Sequence, residues 1–241
     1  MLSADVGIDL GTSTVLVFVR GRGIVVHEPS IVAVDRESGA VLAVGSEALA
    51  MLGRTPGRIE AVRPLREGVV ASYEVTLQML LHVLRAAVGS LRWVKPRVAV
   101  CLPSVVTDVE RRAVVEACRA AGARQVFLVS EPMAAALGAD VPVHEVRGHL
   151  IVDVGGGTTD VAVISMGQEV VSDSVRVAGN HMDEAIARHL RRARSLEVGE
   201  RTAEEVKRTV GTADPDRSPP PAESMEVRGR DVVTGLPRSV T

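Results

Sequence analysis

Residues 151–165 read IVDVGGGTTDVAVIS, in which two apolar runs flank a turn of three glycines and two threonines. The runs have the composition of buried strands, and the glycine cluster is typical of the tight turn of a hairpin. Small turn residues leave several backbone N–H groups pointing into one concave space, which suits a phosphate. Asp153 ends the first run, and a carboxylate beside a bound phosphate holds Mg²⁺ through water. The stretch therefore predicts a phosphate-binding hairpin with a metal position at Asp153.

A second copy of this pattern lies near the start of the chain. Residues 6–19 read VGIDLGTSTVLVFV, with Asp9 in the place of Asp153 and a turn that begins at Gly11. Two such hairpins indicate a duplicated fold that grips one phosphate chain from both sides. Taken alone, either glycine turn is more often an ordinary hairpin. The pair of hairpins, with Glu131 and Pro132 between them in the sequence, instead favours a nucleotide site. Glu131 by itself also fits a carboxylate at the start of a helix, where it stabilises the helix dipole.

Composition and charge bound the class of protein. The 241 residues are 46% hydrophobic and 2% aromatic, so one large or two ordinary domains with an aliphatic core are expected. The formal net charge of −2 gives no bulk attraction to nucleic acid. Cys101 and Cys118 lie in apolar segments, which predicts reduced structural thiols in a cytosolic protein. The six histidines lack ligand spacing, so no zinc site is predicted.

The order of predicted elements indicates a repeat. The first half, residues 1–145, contains strands, an inserted subdomain at about 35–70, and then helix, strand, helix, strand and helix. The second half, residues 146–241, begins again with the glycine hairpin, a strand and a helix. An insertion from about 195 and a flexible, proline-rich segment at 214–223 follow. The elements that would finish a second copy do not follow, so the second half is expected to be incomplete.

Several motifs resemble the actin and sugar-kinase superfamily. In this chain, DLGT at 9–12 resembles the first phosphate loop of the superfamily and DVGGGT at 153–158 resembles the second. EPMAAA at 131–136 resembles the helix that connects the two halves of these proteins. The large heat-shock chaperones share these three motifs, so they indicate the superfamily only. Motifs more particular to the bacterial actin-like MreB/Mbl family are GIVVHEPS at 23–30, KPRV at 95–98, TDVERRA at 107–113, GERTAEEVK at 199–207 and TGLP at 234–237. The resemblance covers nearly the whole chain.

The resemblance implies an α/β, actin-like fold of two duplicated ribonuclease-H-like domains, with a small inserted subdomain and here an incomplete second half. It also implies a cytoplasmic protein that binds ATP and Mg²⁺, forms filaments with itself and lies at the inner face of the cell membrane. Cell-wall synthesis and shape proteins are the implied partners.

The resemblance also assigns roles to single residues. Asp9 and Asp153 are the metal positions, and Glu131 orients or polarises the attacking water with help from Thr158, because phosphoryl transfer depends chiefly on positioning and charge neutralisation. Glu204 and Lys207 are implied to lie beside the nucleoside. The residues implied to bind the phosphates are Gly11, Thr12, Ser13 and Thr14 in the first loop and Gly155, Gly156, Gly157, Thr158 and Thr159 in the second.

Two departures from the family pattern bear on function. Ser13, Thr14 and Val15 stand where the family has Ala-Asn-Thr, and the glycine-rich turn that cradles adenosine does not follow in the sequence. ATP hydrolysis coupled to polymerisation is therefore left open. Two alternatives to a filament subunit also stay open, namely a shortened paralogue with impaired nucleotide cycling that acts as an accessory, and another ATPase of the superfamily.

One apolar tip among cations suggests a membrane contact. Leu91, Trp93 and Val94 are flanked by Arg92 and Lys95. An aromatic and aliphatic tip of this kind suits the interface of a bilayer. It resembles the hydrophobic loop that MreB proteins insert into the membrane. A tryptophan folded back onto its own domain is the equally favoured alternative.

Overall fold

The computed structural model describes residues 4–51, 57–89, 95–214 and 224–241, and its contacts divide the chain into two units. The first unit is Met1–Val177 and the second is Ala178–Thr241. The predicted boundary at 145/146 refers to a duplicated topology rather than to this division by contacts, and it stays a prediction. The predicted flexible segment 214–223 lies outside the described residues, apart from Asp214.

The elements of the first unit follow the predicted order. Its strands are β1 (Asp5–Leu10), β2 (Thr14–Val19), β3 (Gly23–Pro29), β4 (Val32–Asp35), β5 (Val41–Val44), β6 (Ile59–Val62), β7 (Leu65–Arg66), β8 (Val69–Val70), β9 (Arg97–Leu102), β10 (Gln125–Ser130), β11 (His149–Val154), β12 (Thr159–Ser165) and β13 (Gln168–Val175). Its helices are α1 (Ser46–Met51), α2 (Tyr73–Val88), α3 (Asp108–Ala120) and α4 (Glu131–Gly138). Within the described residues, no helix combines the length and apolarity needed to cross a membrane.

A five-stranded sheet forms the centre of the first unit. Its strand order is β10-β9-β1-β2-β3, with β1 antiparallel to β2 and parallel to β9. Alternate residues of β1, namely Val6, Ile8 and Leu10, are buried, as the period of a strand requires. Val83 and Leu84 of α2 belong to the same apolar core. This core also contains residues from the last part of β1 and β9 and from the start of β2, so these three chain segments lie at the same end of the sheet.

The two long helices of this unit have the expected start and stop signals. The side chain of Ser72 accepts a hydrogen bond from the Val75 N–H at the start of α2, and Gly89, with a φ of 77°, ends that helix. Thr107 and Glu110 form a capping box at the start of α3. These local signals determine where both helices begin and where α2 ends.

The region predicted as an inserted subdomain forms a small sheet beside a helix. Strands β5, β4 and β6 pair in that order, and α1 packs through Ala48 into a cluster with Ile31, Ala33 and Ala43. The short β7–β8 hairpin follows. Its turn contains Glu67 and Gly68, with φ values of 50° and 76°, so the turn backbone occupies the left-handed region.

A second sheet repeats the beginning of the first. Strands β11, β12 and β13 pair in that order, all antiparallel. One face of this sheet packs on α4, where Ala136 meets the buried Ala162 and Ile164. The opposite face, which we call the outer face, exposes the apolar side chains of β11. The register of β12 with β13 shifts by one residue between Val163 and Ile164.

The second unit consists of two helices and a small sheet. The helices contact each other, and the strands pair in sequence order, all antiparallel. Arg191, Arg192 and Arg194 lie exposed in the last turn of the first helix, where cations are favoured by the helix dipole. The elements are α5 (Gly179–Arg194), β14 (Leu196–Glu197), α6 (Glu200–Val210), β15 (Val227–Asp231) and β16 (Pro237–Val240).

Candidate functional site

The two glycine turns line one cleft in the first unit. The cleft has a volume of about 310 Å³, within the range of small-molecule sites. Asp9 and Asp153 lie at the ends of β1 and β11, and Glu131 lies at the start of α4. The predicted residues that line the cleft are Asp9, Gly11, Thr12, Ser13, Thr14, Glu131, Asp153, Gly155, Gly156, Gly157 and Thr158.

The two turns use the same backbone device. The Gly11 N–H donates to the carbonyl oxygen of Thr14 at 3.0 Å, and the Gly155 N–H donates to the carbonyl oxygen of Thr158 at 2.9 Å. Each bond closes a short loop between two antiparallel strands, directly after the strand that carries the aspartate. The duplication predicted from the sequence is therefore present in the backbone of the cleft.

The second loop approaches the first so closely that only glycine fits. A Cβ atom on Gly156 would lie 2.0 Å from the Ser13 hydroxyl oxygen, and one on Gly157 would lie 2.6 Å from the Thr12 hydroxyl oxygen. Glycine at these positions lets the backbone N–H groups of both loops share one space, which is the requirement of a phosphate cradle.

The β7–β8 turn forms a further wall of the cleft, which sequence reasoning missed. The Gly68 N–H donates to the Thr12 hydroxyl oxygen at 3.2 Å. A Cβ on Gly68 would lie 2.7 Å from Pro103 and 2.9 Å from the Thr158 methyl group, so this turn touches both loops. The only sequence signal was Gly68 inside a mixed segment, which does not indicate where the turn folds.

Asp9 and Asp153 are two carboxylates in one cleft, and their negative charges repel each other. Burial raises the pKa of Asp9, and the charge of Asp153 raises it further. Burial also raises the pKa of Asp153, with a contribution from Asp160. Within the described residues, no group of three or more His, Cys, Asp or Glu side chains has metal-binding geometry. Two carboxylates in a phosphate cleft nevertheless fit Mg²⁺, which is commonly held by one or two carboxylates, water and substrate phosphates.

Glu131 begins α4 and faces the same cleft. Burial, followed by the charges of Asp160, Asp9 and Asp153, raises the pKa of Glu131 to about 8. The apo site therefore holds the Glu131 carboxyl mostly protonated at neutral pH. A carboxyl group with a strongly raised pKa in a cleft is typical of a functional position.

Asp160 lies beneath the cleft and was not predicted as a site residue. Its side chain is 1% exposed, and one oxygen accepts the Ser104 N–H at 2.8 Å. Its other oxygen is buried and has no hydrogen-bond donor within the described part of the chain. The hairpin register pairs Asp160 with Asp153, so strand alternation in the quoted stretch could have identified it.

Cys101 also lines the cleft, at the end of β9. Burial, followed by the charges of Asp9, Glu131 and Asp153, raises the pKa of the Cys101 thiol to about 12. The thiol is therefore neutral and unreactive at physiological pH, which agrees with the structural role expected for it. Both cysteines are free.

Among the predicted phosphate-binding residues, Thr159 is not one of those that line this cleft. Thr159 opens β12, and its hydroxyl donates to the carbonyl oxygen of Val177 at 2.8 Å. Glu204 and Lys207 belong to α6 in the second unit, where the Lys207 ammonium donates to an oxygen of Asp183 at 3.0 Å. The phosphate role of Thr159 and the nucleoside role of Glu204 and Lys207 stay predictions. The predicted membrane residues Leu91, Trp93 and Val94 lie outside the described residues.

Comparison with known proteins decides the family. The family model described as MreB/Mbl protein matches residues 3–241. The chain belongs to the MreB/Mbl family. The cell shape-determining protein Mbl of Bacillus cereus is 48% identical over 241 residues, which cover 100% of this chain and 72% of that relative. The predicted family is thus confirmed.

Solved structures of MreB relatives share the fold. MreB5 of Spiroplasma citri bound to AMPPNP aligns with a TM-score of 0.91 and 38% identity, over 100% of this chain and 71% of that one. The same protein has also been solved bound to ADP. The MamK double helical filament aligns with a TM-score of 0.79 at 24% identity, over 99% of this chain and 72% of that one, a likeness that concerns the fold alone. The predicted α/β, actin-like fold is confirmed, and the chain spans about 70% of these relatives.

Proposed function

We propose that this chain is a cytoskeletal subunit of the MreB/Mbl type, which binds ATP with Mg²⁺ and assembles with copies of itself. The observation that carries the proposal is that two aspartate-ended hairpins line one cleft with their glycine turns. The nucleotides bound to MreB5 support the ligand, and the cell shape-determining relatives support the cytoskeletal role.

In this proposal the backbone of the two loops binds the phosphates. Asp9 and Asp153 would hold Mg²⁺ through water, and the ion would supply charge neutralisation for the phosphates. The Glu131 carboxyl, which faces the same cleft and has a pKa raised to about 8 chiefly by burial, would orient the attacking water. Thr158, at the end of the second loop, helps to orient that water.

Titration calorimetry of the purified chain with ATP and Mg²⁺ tests the binding site. We expect saturable heat. We expect Asp153→Asn to weaken binding by about tenfold or more, because it replaces a negatively charged carboxylate beside the ion with a neutral amide. Asp173→Asn is the matched control, since Asp173 lies exposed on β13 of the same sheet. Absence of heat at high micromolar ATP, or equal loss in the control, would contradict the proposal.

Turnover measurements separate binding from hydrolysis. Glu131→Gln keeps the shape of the side chain but cannot ionise. We expect it to lower ATP turnover roughly a hundredfold and to leave ATP affinity within about threefold of the unaltered protein. Equal turnover in the variant and the parent would remove Glu131 from the proposed mechanism.

Assembly and membrane contact are tested by sedimentation. We expect ATP-dependent pelleting of the chain, and protein that stays monomeric with ATP and lipid at high concentration would contradict the filament. We also propose that Leu91, Trp93 and Val94 contact the inner face of the cell membrane, where cell-wall synthesis and shape proteins would be its partners. Trp93→Ala should then reduce co-sedimentation with anionic vesicles without reducing pelleting in their absence.

The nucleoside side of the proposal rests on the second unit. Glu204 and Lys207 are proposed to contact the nucleoside, as the family resemblance implies. Glu204→Gln should weaken ATP binding but leave the binding of inorganic triphosphate unchanged. Equal losses for both ligands would argue against a nucleoside contact.

A second candidate is a family member that keeps the fold but cycles nucleotide poorly and acts as an accessory. The close contact of Ser13 with the second loop favours it, because this position carries a hydroxyl where the family has alanine. Ser13→Ala should then strengthen ATP binding in the calorimetric titration and raise ATP turnover. A variant that binds and turns over ATP no better than the parent would argue against this candidate.

A further inference from the structure

Ser130 is the N-cap of α4, but its side chain does not cap the helix. No hydrogen bond runs from the backbone of the first turn to the Ser130 hydroxyl, and Pro132 in that turn has no N–H to offer. The hydroxyl instead donates to the carboxylate of Glu169. Ser130 ends β10 of the first sheet and Glu169 lies on β13 of the second sheet, so the bond joins two separate sheets.

A β-bulge points Glu169 toward α4. Val163 pairs with Val171, and a regular register would next pair Ile164 with Val170 and leave Glu169 on the outer face. The observed register pairs Ile164 with Glu169 instead. Ile164 is fully buried in the cluster beneath α4, so Glu169 shares its side of the sheet. Because a shift of one residue exchanges the two faces of a strand, the bulge is what brings this carboxylate to Ser130.

We propose that Glu169 is a positioning residue for Glu131, which it orients by holding Ser130 at the start of α4. Glu131 is the next residue after Ser130, so the path of the chain at Ser130 fixes where the Glu131 side chain begins. This inference rests on the proposed ATP hydrolysis, in which Glu131 orients the attacking water.

The role is one of geometry rather than charge on Glu131. The charges that act on the Glu131 carboxyl are those of Asp160, Asp9 and Asp153. Glu169 acts through the Ser130 hydroxyl at the start of α4, where a carboxylate near the N-terminus of a helix is also favoured by the helix dipole. Displacing a reacting group by about 1 Å can cost up to roughly a hundredfold in rate, so holding this one residue in place matters for turnover.

Four variants of the full chain test the assignment, namely Glu169→Gln, Glu169→Ala, Ser130→Ala and the double variant Ser130→Ala/Glu169→Ala. The glutamine amide oxygen still accepts the Ser130 hydroxyl, so Glu169→Gln should keep kcat within about twofold of the parent. Glu169→Ala and Ser130→Ala should each lower kcat about tenfold with little change in KM for ATP. The double variant should be no slower than either single variant, because both remove the same bond.

A matched control separates positioning from loss of stability. Glu110 pairs with the Thr107 hydroxyl at 2.8 Å at the start of α3, outside the cleft lining, so Glu110→Ala removes a similar pair at another helix. We expect Glu110→Ala to lower thermal stability without lowering kcat. A fall in kcat as large as that of Glu169→Ala would mean that general destabilisation explains both, and it would overturn the proposal.

A second readout does not depend on turnover. In ¹³C-glutamate-labelled protein without nucleotide, the Glu131 carboxyl resonance, assigned with Glu131→Gln, should titrate well above the ordinary range. Glu169→Ala and Ser130→Ala should shift that titration toward the ordinary value, because the carboxyl turns toward solvent, and Glu169→Gln should not. A titration and kcat unchanged in Glu169→Ala would overturn the inference. Should the parent protein not hydrolyse ATP, the proposed function fails, and the titration still decides the role of Glu169.

Discussion

Glu131 is a residue at which the fold works against ionisation. Burial and three neighbouring carboxylates raise its pKa from 4.5 to about 8 in the folded chain. The folded state therefore binds a proton between these two pH values that the unfolded state has released. By linkage, the stability associated with this group is fully present below pH 4.5 and is lost as pH rises through about 8.

Glu131→Gln should remove this pH dependence. Glutamine resembles the protonated carboxyl and never ionises, so the variant should be more stable than the parent above pH 8, by an amount on the order of a few kcal/mol. The difference should disappear below pH 4.5. Urea unfolding without nucleotide or divalent cations, at several pH values from 4 to 9, measures it.

Glu110→Gln provides the control for that series. Its carboxylate accepts from the Thr107 N–H at 2.7 Å at the start of α3, a contact that the glutamine amide oxygen can at best reproduce. It should therefore be no more stable than the parent at any pH. A Glu131→Gln variant whose stability follows that of the parent across the whole series would contradict the burial of this carboxyl.

At the scale of elements, the close approach of the two glycine loops makes a testable contact. Gly156→Ala places a methyl group 2.0 Å from the Ser13 hydroxyl oxygen and 2.8 Å from the Ser13 Cβ. Contacts this short force one loop to move, so we expect a loss of stability of about 1–3 kcal/mol and weaker nucleotide binding. Thermal unfolding and calorimetry measure the two effects.

A compensating change identifies the contact. Ser13→Gly removes both colliding atoms, so the double variant Ser13→Gly/Gly156→Ala should recover part of the lost stability. Gly138→Ala is the control at the end of α4, where a Cβ meets nothing within 4 Å, and it should be neutral or stabilising. Purely additive losses in the double variant would show that Ser13 is not the obstacle.

Elements with local signals could be predicted from the sequence, whereas contacts between elements could not. The bounds of α2 follow from its apolar period, and the start of α3 follows from the Thr107–Glu110 capping box. The cleft followed from two similar hairpins, since duplication implies that they face each other. The Gly68 wall and the bulge that points Glu169 toward Ser130 depend on register and on packing over long sequence separations, for which a single sequence carries no local signal.

At the scale of the whole molecule, the outer face of the β11–β13 sheet is a feature that the apolar strand pattern alone does not reveal. Leu150, Val152 and Val154 alternate along β11 and are 65%, 56% and 54% exposed. Val171 and Val175 on β13 add further exposed apolar surface on the same face, since they pair with Val163 and Thr159. A contiguous apolar patch on a folded unit commonly marks an interaction surface.

This face should bind hydrophobic dyes in the native chain, and one charge at its centre should reduce that binding. Val152→Lys introduces an ammonium group between Leu150 and Val154, so we expect native-state dye fluorescence to fall at least about twofold and light scattering at high protein concentration to fall with it. Val146→Lys is the matched control, because Val146 is 86% exposed in the segment between α4 and β11 and lies outside the sheet. Equal effects of the two substitutions would mean that added charge alone, rather than interruption of the sheet face, governs association. An unchanged thermal transition in Val152→Lys completes the comparison, since a lysine on an exposed face should leave the packing of the sheet on α4 intact.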